Sequence, residues 1–137
     1  LTLDLDAIEN WRAGAVVTLL EQKELTFLRV EQLGKEVRRR RLLWFHLPII
    51  DVSIPDETFE TNWNDACPEL LRLLRNGDNV LIHCRGGLGR AGTIAARLLI
   101  EMGMKPNIAI EQVRSVRPGA IETKEQENYI LNIDLNK

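Results

Sequence analysis

The chain has 137 residues, 45% of them apolar and 28% charged, an ordinary balance for one soluble globular domain with a core of its own. A net charge of −2 supplies no basic field for nucleic acid, and no apolar run approaches membrane-spanning length. Two cysteines make no disulfide framework and no signal peptide is recognisable, so a reducing, cytoplasmic setting is expected.

The sequence reads as a single domain over 1–137, with an N-terminus that is expected to be truncated because it opens at Leu1 without a methionine. A first strand is among what could be missing. Asp4 to Ala13 reads as a short helix with Leu5, Ile8 and Trp11 on one face and Gly14 as its stop. Ala15 to Leu19 is a buried strand. Glu21 to Arg41 has helical periodicity, with Leu25, Leu28, Leu33 and Val37 inward and a break near Gly34. The cluster Arg38 to Arg41 is read as a solvated helix end suited to the dipole, in preference to an anion-docking patch.

Leu42 to Leu47 is the next strand, stopped by Pro48, and a loop runs to Pro55. A helix follows from Glu57 to Arg75, in which Pro68 should cause a kink or begin a second piece. Asn79 to His83 is the central strand, after Gly77. Helices then run from Ala91 to Met104, Asn107 to Val116 and Lys124 to Leu135, with Thr123 and Gln126 at capping-box spacing for the last. Strands alternating with helices predict an α/β fold: a mainly parallel sheet of four to five strands with helices on both faces. Ligands of such sheets bind beyond the carboxyl ends of the strands.

The most informative stretch lies at one such end: His83-Cys84-Arg85-Gly86-Gly87-Leu88-Gly89-Arg90. A strand, a glycine-rich loop and a helix start form a cradle for a tetrahedral oxyanion. Inward amides make a nest, and the helix N-terminus adds orphan donors and partial positive charge. Gly86, Gly87 and Gly89 permit positive φ and close backbone approach, so Arg85, Gly86, Gly87, Leu88, Gly89 and Arg90 form the expected phosphate-binding run. A free thiol is mostly protonated at neutral pH, whereas this cradle favours the anion. Cys84 is therefore placed to attack phosphorus and form a cysteinyl-phosphate that water later hydrolyses. Arg90 can fork two N–H bonds onto the equatorial oxygens and carry the charge of the transition state. His83 is assigned hydrogen bonds that orient the loop, not proton transfer. The bland alternative, a buried structural thiol at Cys84, would leave three glycines and an arginine each needing a separate explanation. For Cys67 that bland reading is preferred, with a redox partnership to Cys84 the lesser alternative.

A leaving alkoxide or phenoxide needs a proton from another loop. Asp51 and Asp56 lie beyond the Leu42 to Leu47 strand, on the expected side. Asp56 can serve instead as N-cap of the helix at Glu57, so Asp51 is the preferred acid. Because the acid must be protonated, kcat/KM is expected to peak below neutrality. Neither a metal nor a cofactor is called for.

With these residues in view, the sequence resembles the protein tyrosine and dual-specificity phosphatase superfamily, whose signature of His-Cys, five residues and Arg is met by His83 to Arg90. The Gly-Gly-Leu-Gly-Arg interior, His46-Leu47-Pro48-Ile49 and Asp51 are most similar to the cyclin-dependent-kinase-associated branch and its bacterial relatives. Arg117-Pro118-Gly119-Ala120-Ile121 and Gln126 match that branch's later segment. The resemblance implies Cys84 as nucleophile, Arg90 as phosphate clamp, Asp51 as general acid, and Gln126 near the hydrolytic water. An exposed capping-box role for Gln126 is an equal alternative. It also implies a monomer acting on phosphorylated proteins or peptides, at phosphotyrosine and phosphoserine/threonine alike, since the loop lacks lysines for a phosphoinositide. One departure stands out: Ala91 occupies the position after the arginine where the family carries Ser or Thr. Thr93, two residues on, points to a different side of the helix and is no substitute. Slow hydrolysis of the cysteinyl-phosphate is expected. The rival readings are a catalytically weak phosphoresidue-binding module and, less favoured, a sulfur-transfer or arsenate-reducing enzyme.

Overall fold

A computed structural model of the chain describes residues 2–86 and 88–133. Its elements, in chain order, are α1 (Thr2–Asn10), β1 (Ala13–Thr18), α2 (Gln22–Phe27), α3 (Leu33–Arg39), β2 (Leu43–His46), α4 (Glu57–Arg75), β3 (Asn79–His83), α5 (Gly89–Glu101), α6 (Pro106–Val116) and α7 (Lys124–Leu131).

The three apolar strand runs form one parallel sheet of order β2-β1-β3. The expectation of a parallel sheet between helical layers holds. The strand number does not: three are present among the described residues, matching the three apolar runs that the sequence offers. The register pairs Thr18 with both His46 and His83, so the carboxyl ends of all three strands meet at one edge. β1 runs through the middle, and its alternation divides the interior. Ala15, Val17 and Leu19 face α4 and α5, packing with Phe59, Trp63, Leu70 and Ile94. Val16 and Leu20 face the other way, toward Leu5, Leu25, Leu33 and Val37 of α1 to α3. A third cluster, including Ala96, Ile100, Ala109, Ile121 and Ile130, fixes α6 and α7 against α5.

Several local readings change. The break between α2 and α3 falls at Leu28 to Gln32, not at Gly34, and Leu28 and Trp11 are exposed. Arg29 takes positive φ there. Gly34 lies inside α3 for a different reason: a Cβ on it would stand 2.3 Å from the Trp44 ring. The Trp44 indole uses the space that a side chain would take. Pro68 sits within α4, which runs on to Arg75 as one element. α5 starts two residues before Ala91 and ends at Glu101, where Met102 caps it and Gly103 turns the chain with positive φ. The last helix ends at Leu131, and residues 134 and 135 lie outside the described residues. Three residues of the basic cluster are partnered at the surface: Arg39 meets Glu36, Arg40 meets Asp6 and Glu9, and Arg38 lies over Trp44. Among the described residues no helix is long and apolar enough to cross a membrane.

Candidate active site

The common edge of the three strands carries the site. Leu19 N–H bonds the His83 carbonyl at 3.0 Å, Leu47 N–H the Thr18 carbonyl at 2.9 Å, and Ile49 N–H the Leu19 carbonyl at 3.0 Å. The ladder thus continues past the strands and brings the loops after β1, β2 and β3 together. Thr18 accepts the Trp44 indole N–H at 2.8 Å and meets His83 Nε2 at 2.7 Å. The indole can only donate, so the Thr18 hydroxyl proton is free to point at the imidazole. Burial, with His46 nearby, pushes the His83 pKa down and favours that neutral acceptor. His83 is therefore held at the foot of the loop by a hydrogen bond.

Cys84 leaves the strand half-buried, and its Sγ accepts the backbone N–H of Ala91, in the first turn of α5, at 3.3 Å. The sulfur thus faces the N-terminal end of α5, where the helix dipole is positive. Gly86 has φ +84, as a nest requires, while Gly87 lies outside the described residues. Leu88 bonds through its carbonyl to Ile121 N–H at 2.9 Å, which ties the loop to the segment before α7. Gly89 opens α5, and a Cβ there would stand 2.5 Å from Glu122 Oε1 and 3.2 Å from the Gln126 amide. Only glycine fits. Arg85 turns outward, with its guanidinium 5.4 Å from the centroid of the exposed Phe27 ring.

Arg90 is buried, at 1% exposure, and held on several sides. Nη1 and Nη2 fork onto Glu24 Oε1 and Oε2 at 2.8 and 2.9 Å, and Nη1 also donates to the Ile49 carbonyl at 2.9 Å. Glu24 Oε1 in turn accepts Glu21 N–H at 2.9 Å. The Arg90 guanidinium holds the Glu24 carboxyl below the usual carboxylate range despite its burial. Nε of Arg90 is buried and finds no acceptor among the described residues. An orphaned charged donor is costly unless a ligand completes it, and an oxyanion held over the loop would do so.

Asp51 stands at the rim, 60% exposed, with Oδ1 3.4 Å from Arg90 Nη2 and accepting Val52 N–H at 2.9 Å. Asp56 is committed elsewhere, capping α4 through Phe59 N–H at 2.8 Å. Gln126 is fully buried, not exposed: its capping box with Thr123 forms, and its Nε2 also donates to the Ser53 carbonyl at 3.2 Å. Thr93 spends its hydroxyl on the Gly89 carbonyl at 2.7 Å. Cys67 is a core thiol whose pKa burial pushes up to about 11, so it is no ready redox partner. Among the described residues no group of three His, Cys, Asp or Glu side chains could hold a metal ion.

Sequence reasoning misses Glu24, Thr18 and Trp44. Glu24 carries a faint signal, since Glu21 and Glu24 have the spacing of a capped helix start. Its pairing with an arginine 66 positions away has none.

Residues 11–130 match the family described as "PTP-SAK: Swiss Army Knife protein, DSP-PTPase phosphatase domain". The chain belongs to this family. Among curated relatives of this phosphatase domain, it is 38% identical over 130 residues to rat cyclin-dependent kinase inhibitor 3, across 93% of the chain and 60% of the relative. The human counterpart is 36% identical over 130 residues, with the same coverage. The chain thus spans about 60% of the length of these relatives. A crystal structure of kinase-associated phosphatase, with its catalytic-site cysteine replaced by serine, superposes with a TM-score of 0.81 at 31% identity, over 93% of this chain and 71% of that one. Tk-PTP in its active form gives a TM-score of 0.74 at 33% identity, over 96% and 83%.

Proposed function

We propose that this domain hydrolyses phosphate monoesters of phosphorylated proteins or peptides, at phosphotyrosine and phosphoserine/threonine, through a cysteinyl-phosphate. One observation carries the reading: the Cys84 sulfur sits against the first-turn amide of α5, while a buried guanidinium with an unpartnered Nε stands at the other end of the same loop.

The steps follow from the geometry. The phosphate dianion lies in the nest, with Arg90 Nε and Nη2 on its equatorial oxygens. The Cys84 thiolate attacks phosphorus opposite the ester oxygen. That bond breaks, and Asp51 gives its proton to the departing oxygen. The Asp51 carboxylate then takes a proton from a water molecule that attacks the same phosphorus, and the thiolate leaves. Inorganic phosphate is released and every residue returns to its starting state. Glu24 keeps the guanidinium aimed throughout. Family membership supports this chemistry, and the kinase-directed names of the relatives favour a protein substrate. Cytoplasmic location and a monomeric state belong to the same proposal.

Turnover of p-nitrophenyl phosphate, a phosphotyrosine peptide and a phosphothreonine peptide tests it, with Cys84→Ser and Asp51→Asn as comparisons. The serine variant should lose all three activities. Asp51→Asn should lose about 10²–10⁴-fold on the phosphothreonine peptide, whose leaving group most needs a proton. Binding of phosphopeptide without turnover by the wild type would establish the binding-module reading, which Ala91 alone favours.

A further inference from the structure

Accepting the phosphatase reading above, we infer that Gln126 is a positioning residue for the general acid: it ties the Asp51 loop to the phosphate loop instead of holding the hydrolytic water.

The loop that carries Asp51 is fastened on both sides. Before Asp51, the Ile49 carbonyl accepts Arg90 Nη1 at 2.9 Å and the Ile49 N–H bonds the Leu19 carbonyl at 3.0 Å. After it, the Ser53 carbonyl accepts Gln126 Nε2 at 3.2 Å, across 73 residues of sequence. Between these ties, Val52 has φ +55, a conformation that a β-branched side chain adopts only where its surroundings impose it. Val52 and Ile50 are exposed, so no packing of their own side chains holds the turn. The turn is closed by its own hydrogen bonds, Ser53 N–H to the Ile50 carbonyl at 3.0 Å and Val52 N–H to Asp51 Oδ1 at 2.9 Å, and the two flanking hydrogen bonds anchor this preformed turn to the rest of the site.

Gln126 suits the task because its amide is engaged at both ends. Oε1 accepts the Thr123 N–H at 3.2 Å, which fixes the amide to the start of α7, and Nε2 is thereby turned to Ser53. Both amide atoms lie 3.2 Å from the place where a Cβ on Gly89 would stand. One side chain thus touches the cap of α7, the acid loop and the first residue of α5. The residue has no exposed surface, and one donor and one acceptor site of its amide are already committed to Ser53 and Thr123, so a water could reach it only if a neighbouring segment moved. Arg90 fastens the near side of the loop with the same guanidinium that would grip phosphate. Gln126 fastens the far side, and is the tie that can be removed without touching the clamp.

The two roles separate kinetically. The term kcat/KM covers steps up to formation of the cysteinyl-phosphate, where the acid works, whereas a water-holding residue acts only afterwards and enters kcat. A misplaced acid also hurts most where the leaving oxygen is basic. The experiment compares wild type, Gln126→Glu and Gln126→Met on a phosphoserine peptide and on p-nitrophenyl phosphate, with the same substitutions repeated in Asp51→Asn. Glutamate keeps the acceptor for Thr123 but offers no donor to Ser53 as a carboxylate. Methionine keeps the volume and serves should the buried carboxylate unfold the domain. The expected result is a kcat/KM loss of about 10–100-fold on the peptide and no more than a few-fold on the aryl ester, with no further loss in Asp51→Asn. A fall in kcat with kcat/KM preserved, the burst staying near one equivalent ahead of a slower steady state, would overturn the inference in favour of the water role. Equal losses on both substrates, or losses that persist undiminished in Asp51→Asn, would also overturn it. A wild type that turns over neither substrate would defeat the phosphatase reading itself, a different result from any of these.

Discussion

Replacing Ala91 with serine should speed the proposed turnover. Cys84 Sγ receives the Ala91 N–H at 3.3 Å, and the neighbouring hydroxyl of Thr93 is spent on Gly89. When the thiolate leaves phosphorus in the second step, its charge grows with that amide and the helix field as the donors at hand. A hydroxyl at position 91 starts from the residue whose amide already touches the sulfur. A hydrogen bond to a charged group contributes roughly 1.5–3 kcal/mol, which at about 1.4 kcal/mol per decade is a gain of about 10–150-fold in cysteinyl-phosphate breakdown. Formation of the intermediate should not be accelerated and should lose at most a few-fold, because there the sulfur gives up charge and the hydroxyl favours the attacking group before the transition state. Rapid mixing with p-nitrophenyl phosphate measures both steps. The wild type should release a burst of nitrophenol close to one equivalent, followed by slow turnover. Ala91→Ser should show a smaller burst and a higher kcat, with kcat/KM within a few-fold. A wild type without a burst, together with no gain in kcat on substitution, would refute the reasoning.

Two further outcomes follow from the buried groups. Glu24→Gln leaves the Arg90 guanidinium, 1% exposed, without its counter-charge, so urea unfolding should report a loss of about 3–5 kcal/mol, and phosphate protection of Cys84 from alkylation should weaken. Acidification should lower the melting temperature in two stages. Burial depresses the His83 pKa, so the unfolded chain takes up that proton first and stability falls as pH drops below about 6.5, a stage His83→Gln should lack. Glu24 is held below the carboxylate range by Arg90, so its contribution is complete above about pH 4.3 and is lost only at lower pH, a stage Glu24→Gln should lack.

The chemistry of the site was legible in the chain because it is local. Cys84, Gly86, Gly89 and Arg90 lie within seven residues, and strand, loop and helix are read from adjacent periodicities. Asp51 could be preferred over Asp56 because helix capping is a local rule, and Asp56 does cap α4 through the Phe59 amide. What stayed hidden is what tertiary contact alone creates. Gly34 looks like a helix break in sequence and is a seat for the Trp44 ring, a partner ten residues away on β2. Glu24 reads as an ordinary first-turn acid until the fold brings Arg90 to it. Gln126 satisfies a capping rule so completely that its second bond, to Ser53, leaves no mark on the sequence.

The central claim is a covalent phosphoryl group on one sulfur. Wild-type protein mixed with p-nitrophenyl phosphate, quenched in acid within the first turnover and digested, should carry a single phosphoryl group on the peptide that contains Cys84. That peptide should be unmodified in free enzyme, and Cys84→Ser should produce neither the adduct nor nitrophenol. Sustained nitrophenol release by Cys84→Ser, or phosphate recovered on some other residue of the wild type, would contradict the account.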